Sequence, residues 1–275
     1  MRRLAWLGSA VVVAALVAGC AKPVMNTAPV NVSVYAAGSL RAPVTEAARA
    51  FERAHPGTQV ALTFGASGLL RDRIVAGEAA DVFASANMAH PQSLRAGGSH
   101  GDTRPFARNA LCALVRPGLA VTPDTLVQTL LDPAVKLGIS TPRADPSGDY
   151  AITLFENIER TGAAAPGSAQ ALTAKALQLT GGPTSPPPPV GRDVYGMLVA
   201  TGQADVFLTY CTNAVIARAE EPSLQQVDVP PAINVSAQYG LALRQGAGPA
   251  AQAFAESLIS GAGQASLRKA GFLSP

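Results

Sequence analysis

Val60–Ala86, VALTFGASGLLRDRIVAGEAADVFASA, decides how the chain is read. Val60 to Phe64 is an apolar alternating run and predicts a buried strand. It stops at Gly65-Ala66-Ser67-Gly68, and a helical pattern begins at once, with Leu69, Leu70, Ile74 and Val75 on one face. Ser67 falls where a helix N-cap belongs, beside backbone N–H groups that have no partner within the helix. Asp81 to Ala84 predicts a second strand, ending in the small turn Ser85-Ala86-Asn87. The unit is βαβ, and its first turn is small, neutral and rich in donors, a place to hold an anion. A single serine turn of this kind most often only caps its own helix, so the functional reading needs repetition.

The repetition lies just upstream. Asn31 to Ala37 predicts a strand, Gly38-Ser39-Leu40 a turn, and Val44, Ala47, Ala48 and Phe51 the buried face of a helix ended by His55-Pro56-Gly57. Ser39 thus repeats Ser67. Two parallel strands would deliver two helix N-termini to one sheet edge, where open α/β sheets bind ligands. A third such turn is Pro146-Ser147-Gly148, between a strand over Val135 to Ser140 and a helix over Tyr150 to Thr161.

Further along, Met88 to Ala107 reads as helix and loop, and Asn109 to Val115 as a new strand. Thr125 to Leu131, Ala169 to Leu179, Asp193 to Ala200 and Gln252 to Lys269 read as helices, the last broken at Gly261 and Gly263. Ile233 to Leu243 reads as a long return strand. Gly202-Gln-Ala-Asp-Val-Phe207 repeats Gly77-Glu-Ala-Ala-Asp-Val-Phe83 with its Asp 124 residues later, a spacing suited to two similar lobes. The proline-rich Gly181 to Val190 is expected to be a stiff extended loop rather than a partner-binding segment.

The chain has 275 residues, 48% of them apolar, enough for two modest lobes. Met1-Arg2-Arg3 and the apolar Leu4 to Gly19 form a signal-like segment, and Leu16 to Cys20 resembles a bacterial lipobox. Cys20 is then the expected lipidation site, Ala21 to Pro29 a tether, and the location extracytoplasmic, on a membrane through acyl chains. Without residues 1–19 the chain has 19 basic and 18 acidic residues, and no basic patch argues for nucleic acid. Cys112 and Cys211 each sit in an apolar run. A disulfide and two separate buried thiols both fit the sequence. Neither has a His or second Cys at metal-ligand spacing.

Taken together, Ala36 to Leu40, Gly65 to Gly68, Gly77 to Ala86, Pro146 to Gly148, Asp193-Val194 and Gly202 to Tyr210 resemble the periplasmic molybdate-binding proteins of ABC importers, over roughly Val32 to Phe272. The resemblance implies a type II solute-binding fold: two α/β lobes, each a mixed sheet flanked by helices, hinged by two crossing segments. The lobes would be 31–107 with 237–275, and 108–236. It further implies an oxyanion, molybdate or tungstate, held without a metal ion or cofactor. The hydroxyls of Ser39 and Ser67, the backbone amides of Ser147 and Val194 and the phenol of Tyr210 would hold it. Asp145 and Asp149 would be capping or surface residues. Expected partners are an ABC permease and its ATPase, with the binding protein itself a monomer. Three departures stand out: Ser147 where a small apolar residue is common, Cys211 after the tyrosine, and the proline-rich loop before Val194.

A hydrolase would need a base near Ser39 or Ser67. The three histidines, His55, His90 and His100, lie in helix ends or loops of the first lobe without an evident Asp partner, and no enzyme activity is expected. Another tetrahedral oxyanion or small solute is the alternative ligand.

Overall fold

The computed structural model describes residues 29–187 and 191–275. The expected signal segment, Cys20 and most of the tether lie outside the described residues, as does the end of the proline-rich loop. The chain forms β1 (Val30–Ala37), α1 (Arg41–Ala54), β2 (Thr58–Gly65), α2 (Ser67–Val75), β3 (Val82–Ser85), α3 (Ala89–Ala96), β4 (Arg104–Asn109) and β5 (Leu111–Val115). There follow α4 (Leu126–Leu131), β6 (Leu137–Ser140), α5 (Pro146–Arg160), α6 (Ser168–Lys175), β7 (Leu177–Thr180), α7 (Val194–Ala200) and β8 (Val206–Tyr210). The chain closes with α8 (Cys211–Glu220), β9 (Gln225–Asp228), β10 (Ala237–Leu243), α9 (Pro249–Ile259) and α10 (Gly261–Lys269).

Two five-stranded mixed sheets result, ordered β2-β1-β3-β10-β4 and β7-β6-β8-β5-β9. Position by position they match: parallel β2-β1-β3 answers β7-β6-β8, and an antiparallel strand, β10 or β5, lies next to each. The repeated Asp-Val-Phe explains the match chemically. Asp81 accepts the amide of Ser33 at 2.9 Å and pairs with Arg244 at 2.6 Å. Asp205 accepts the amide of Lys136 at 2.8 Å and pairs with Arg116 at 2.6 Å. In each sheet one carboxylate ties the start of a central parallel strand to both neighbours, while Val82, Phe83, Val206 and Phe207 are fully buried behind it.

The first sheet runs through Asn109, two residues beyond the expected limit of 107, because Arg104–Asn109 is a strand along β10 and not part of a loop. Leu177 to Thr180, expected at the end of a helix, is instead a strand on β6, because α6 stops at Lys175. The return strand starts at Ala237 rather than Ile233, and the preceding short β9 had no clear alternation in sequence.

The chain crosses between the sheets at Ala110 and again at Val235 and Ser236. The Asn234 side chain joins the crossings, accepting from the Leu111 amide at 3.2 Å and donating to the Leu111 carbonyl at 3.0 Å. Cys112 in β5 and Cys211 at the start of α8 form a disulfide, with Cα atoms 4.8 Å apart. This resolves the two readings of the cysteines: Cys112 lies opposite Thr209 in the antiparallel β5–β8 pair, and the turn from Tyr210 into α8 brings Cys211 within bonding reach of it.

Candidate functional site

Strand ends build the cleft. Ala37 ends β1, Gly65 ends β2, Thr180 ends β7 and Tyr210 ends β8, and all four line a cavity of about 1470 Å³ between the sheets. Each is the carboxyl end of a strand in the parallel part of its own sheet, the edge at which open α/β sheets bind ligands.

Of the five residues expected to hold ligand, four line this cavity: Ser39, Ser67, Val194 and Tyr210. The serines differ from expectation in one respect: neither caps its helix. Ser39 lies in a 3-10 turn preceding α1, and α2 has Ala66 at its N-cap position with no side-chain bond. Ser67 Oγ instead accepts the Ala86 amide at 3.1 Å, across the turn that follows β3. Ser39 Oγ lies 2.9 Å from Tyr239 Oη, which comes from β10 and was missed in sequence, where it was one apolar residue of a strand. With its lone pair occupied by Ala86 N–H, the Ser67 hydroxyl has its proton left to give.

Tyr210 is 2% exposed and its hydroxyl has no partner among the described residues. Its ring packs against Tyr239 at 5.6 Å and Tyr150 at 6.3 Å between centroids. Burial holds the Tyr210 phenol well above its ordinary pKa, so it acts as a neutral donor. Val194 N–H is the first amide of α7. Asp193 caps that helix by accepting from Gly196 at 2.7 Å, and leaves Val194 to the cleft.

Ser147 departs from expectation. It is fully buried, is absent from the cavity wall, and its amide donates to Asp145 Oδ1 at 3.0 Å. Asp145 caps α5, as expected, yet its carboxylate also lines the cavity. Burial pushes Asp145 up to about 6, and burial pushes Asp193 to about 6 with the Glu220 carboxylate adding to the effect. Gly148, next along, approaches the β6 turn so closely that a Cβ there would lie 2.4 Å from the Ser140 carbonyl. The α5 N-terminus is therefore pressed against β6.

None of the histidines lines the cavity. His90 is buried in α3, and burial lowers it to about 4. His55 stacks on Phe51 at 4.0 Å. Among the described residues, Cys112, Cys211 and Asp228 form the only cluster with metal-ligand proximity, and the disulfide occupies both sulfurs.

This chain belongs to the bacterial extracellular solute-binding protein family, which it matches over residues 32–273. It is 40% identical over 210 residues to uncharacterized protein PM1146 of Pasteurella multocida, covering 76% of this chain and 85% of that one. It is 27% identical to the molybdate-binding protein ModA of Mycobacterium tuberculosis, over 98% of this chain and 99% of the relative. In three dimensions it resembles the Azotobacter vinelandii periplasmic molybdate-binding protein (TM-score 0.70, 20% identity, 89% of this chain and 99% of that one). It resembles as well the sulfate-binding protein SubI of Mycobacterium tuberculosis (TM-score 0.71, 19% identity, 88% and 86%). The architecture is thus the type II solute-binding fold, and its homologues and neighbours are binding proteins, not enzymes. Among the described residues no helix is long and apolar enough to cross a membrane.

Proposed function

We propose that the protein captures molybdate, and tungstate with it, in the cleft between its sheets and delivers the anion to an ABC permease and its ATPase. The observation that carries this reading is the donor set: Ser39, Ser67 and Tyr210 all border one cavity, and the Tyr210 hydroxyl has no partner among the described residues. The full-length likeness to ModA supports the same ligand.

Neutral donors suit a tetrahedral dianion. Helix N-termini and oriented hydroxyls each contribute from a fraction of a kcal/mol to about 3 kcal/mol. An anion too small to reach every donor leaves buried groups unpaired, which costs about 1–3 kcal/mol each. Molybdate and tungstate share charge and nearly share size, so the same donors serve both. In this reading the chain is monomeric, needs no cofactor, and is held at the membrane by lipid on Cys20.

Cavity volume favours a second reading. The cleft is larger than a tetrahedral oxyanion requires, and Arg41 and Arg192 stand on its wall, so a bulkier anionic solute is the alternative. Isothermal titration of the unlipidated protein with molybdate, tungstate, sulfate and phosphate separates the two. One-to-one binding of the first two, weakened at least tenfold by Ser39→Ala, is the expected result. No heat from a folded protein with any of the four would sink the oxyanion assignment.

A further inference from the structure

The lobe formed by the second sheet presents a carboxylate, Asp145, on the wall of the cleft. Asp145 borders the cavity and takes the Ser147 amide through Oδ1, and a Cβ on Gly181 would lie 2.5 Å from its Oδ2. No basic side chain of the described residues pairs with it. The titratable groups acting on it are Asp149 from its own helix, Tyr195 from α7 and Tyr210 from β8. Asp149 is itself engaged, accepting the Arg143 amide at 2.7 Å. Tyr210 Oη and Ser147 Oγ are buried without partners among the described residues. A dianion drawn to Tyr210 would therefore meet the Asp145 carboxylate on the same cavity wall, in a low-dielectric space where like charges repel strongly.

We propose that Asp145 makes anion capture in this cleft proton-linked and so sets which anions are accepted. An oxyanion held by Tyr210 shares the cleft with Asp145 only when a proton comes too, carried by the ligand or taken from solvent by Asp145. The inference rests on the oxyanion reading of the cleft and adds a selection rule to it. Fully ionised dianions bind tightly on the acid side and weakly on the alkaline side, whereas anions that bring their own proton, such as hydrogen phosphate, lose less as pH rises.

The placement of the group supports this assignment. Burial holds Asp145 near the middle of the range where such linkage operates, at about 6. A dianion bound nearby raises it further, so binding near neutrality draws a proton onto the protein.

The test is calorimetric titration with sulfate at about pH 5.5 and about pH 8, and with molybdate at about pH 7 and about pH 8, where it is monomeric, in buffers of differing ionisation enthalpy. Sulfate stays fully ionised across its range, and molybdate stays the monomeric dianion across its own, so any proton taken up goes to the protein. The wild type is expected to bind sulfate at least tenfold more weakly at the higher pH, with net proton uptake approaching one near neutrality. Asp145→Asn and Asp145→Ser keep a capping residue but cannot ionise. Both should flatten the pH dependence and abolish the uptake, and thermal melts establish that they fold. Wild-type binding without uptake, or uptake that persists in both variants, would overturn the proposal and leave the oxyanion reading intact. Absence of binding by wild type and variants alike would overturn the oxyanion reading, and this proposal with it.

Discussion

Gly68, second residue of α2, donates its amide to the carbonyl of Ala144 at 2.8 Å, so the two sheets' lobes touch backbone to backbone. A Cβ on Gly68 would stand 2.3 Å from the Arg143 carbonyl and 2.6 Å from that of Ala144. Gly68→Ala should therefore leave each sheet's core intact and hold the lobes apart. The expected outcome is at least tenfold weaker molybdate binding, with a radius of gyration by X-ray scattering that no longer falls on adding ligand. Unchanged affinity would show that the contact is incidental to closure.

Tyr210→Phe removes a buried hydroxyl that has no partner among the described residues. Without ligand the variant should be as stable as wild type or more stable by about 1 kcal/mol, because an unpaired polar group is lost. With molybdate the affinity should drop by roughly ten- to a hundredfold. Urea melts with and without anion give both numbers, and the opposite signs distinguish a binding hydroxyl from a structural one.

Asp193 allows a pH prediction whose sign follows from its environment. Burial and Glu220 raise its carboxyl to about 6, above its unfolded value, so the native state binds the proton more tightly than the unfolded chain. Its contribution to stability is full at low pH and is lost as pH rises through about 6. Asp193→Asn keeps the cap on Gly196 and removes the titration. The variant should match wild type at about pH 4 and exceed it by about 1 kcal/mol at about pH 8 in paired thermal melts.

The disulfide joins residues separated by 99 positions, and Cys211 directly follows Tyr210. Replacing Cys112 and Cys211 together with Ser should cost about 2–4 kcal/mol of stability. It should weaken anion binding as well, since β8 and α8 lose the tie that fixes the corner carrying the phenol. Wild type in strong reductant should behave as the variant does.

The fold was legible where the sequence alternates cleanly or repeats itself. The two Asp-Val-Phe segments announced paired central strands, and Asp81 and Asp205 make matching bonds in both sheets. Edge strands were harder. Arg104–Asn109 mixes charge with apolar residues because one face meets solvent, and Leu177–Thr180 follows a helix without a break in pattern. At the cleft, the strand-turn-serine pattern located Ser39 and Ser67 but not what their hydroxyls touch. Tyr239 reaches Ser39 from a residue 200 positions away, a relation set by sheet order and not by local spacing. Asp145 was legible as a cap. That its carboxylate would also border the cleft depends on how close α5 comes to β7, which spacing does not encode.

The order of strands has a consequence for the birth of the molecule. Sheet β7-β6-β8-β5-β9 comes from one unbroken run of chain, Leu111 to Asp228, and has all its strands once that run is made. The other sheet has β10 between β3 and β4, so β4 has no neighbour until Ala237–Leu243 arrives. Synthesised from the amino end, the inserted lobe can finish first while its host waits half-built, with the buried side of β3 unpaired. Truncations ending before Ala237 should therefore show protease protection across the inserted lobe alone.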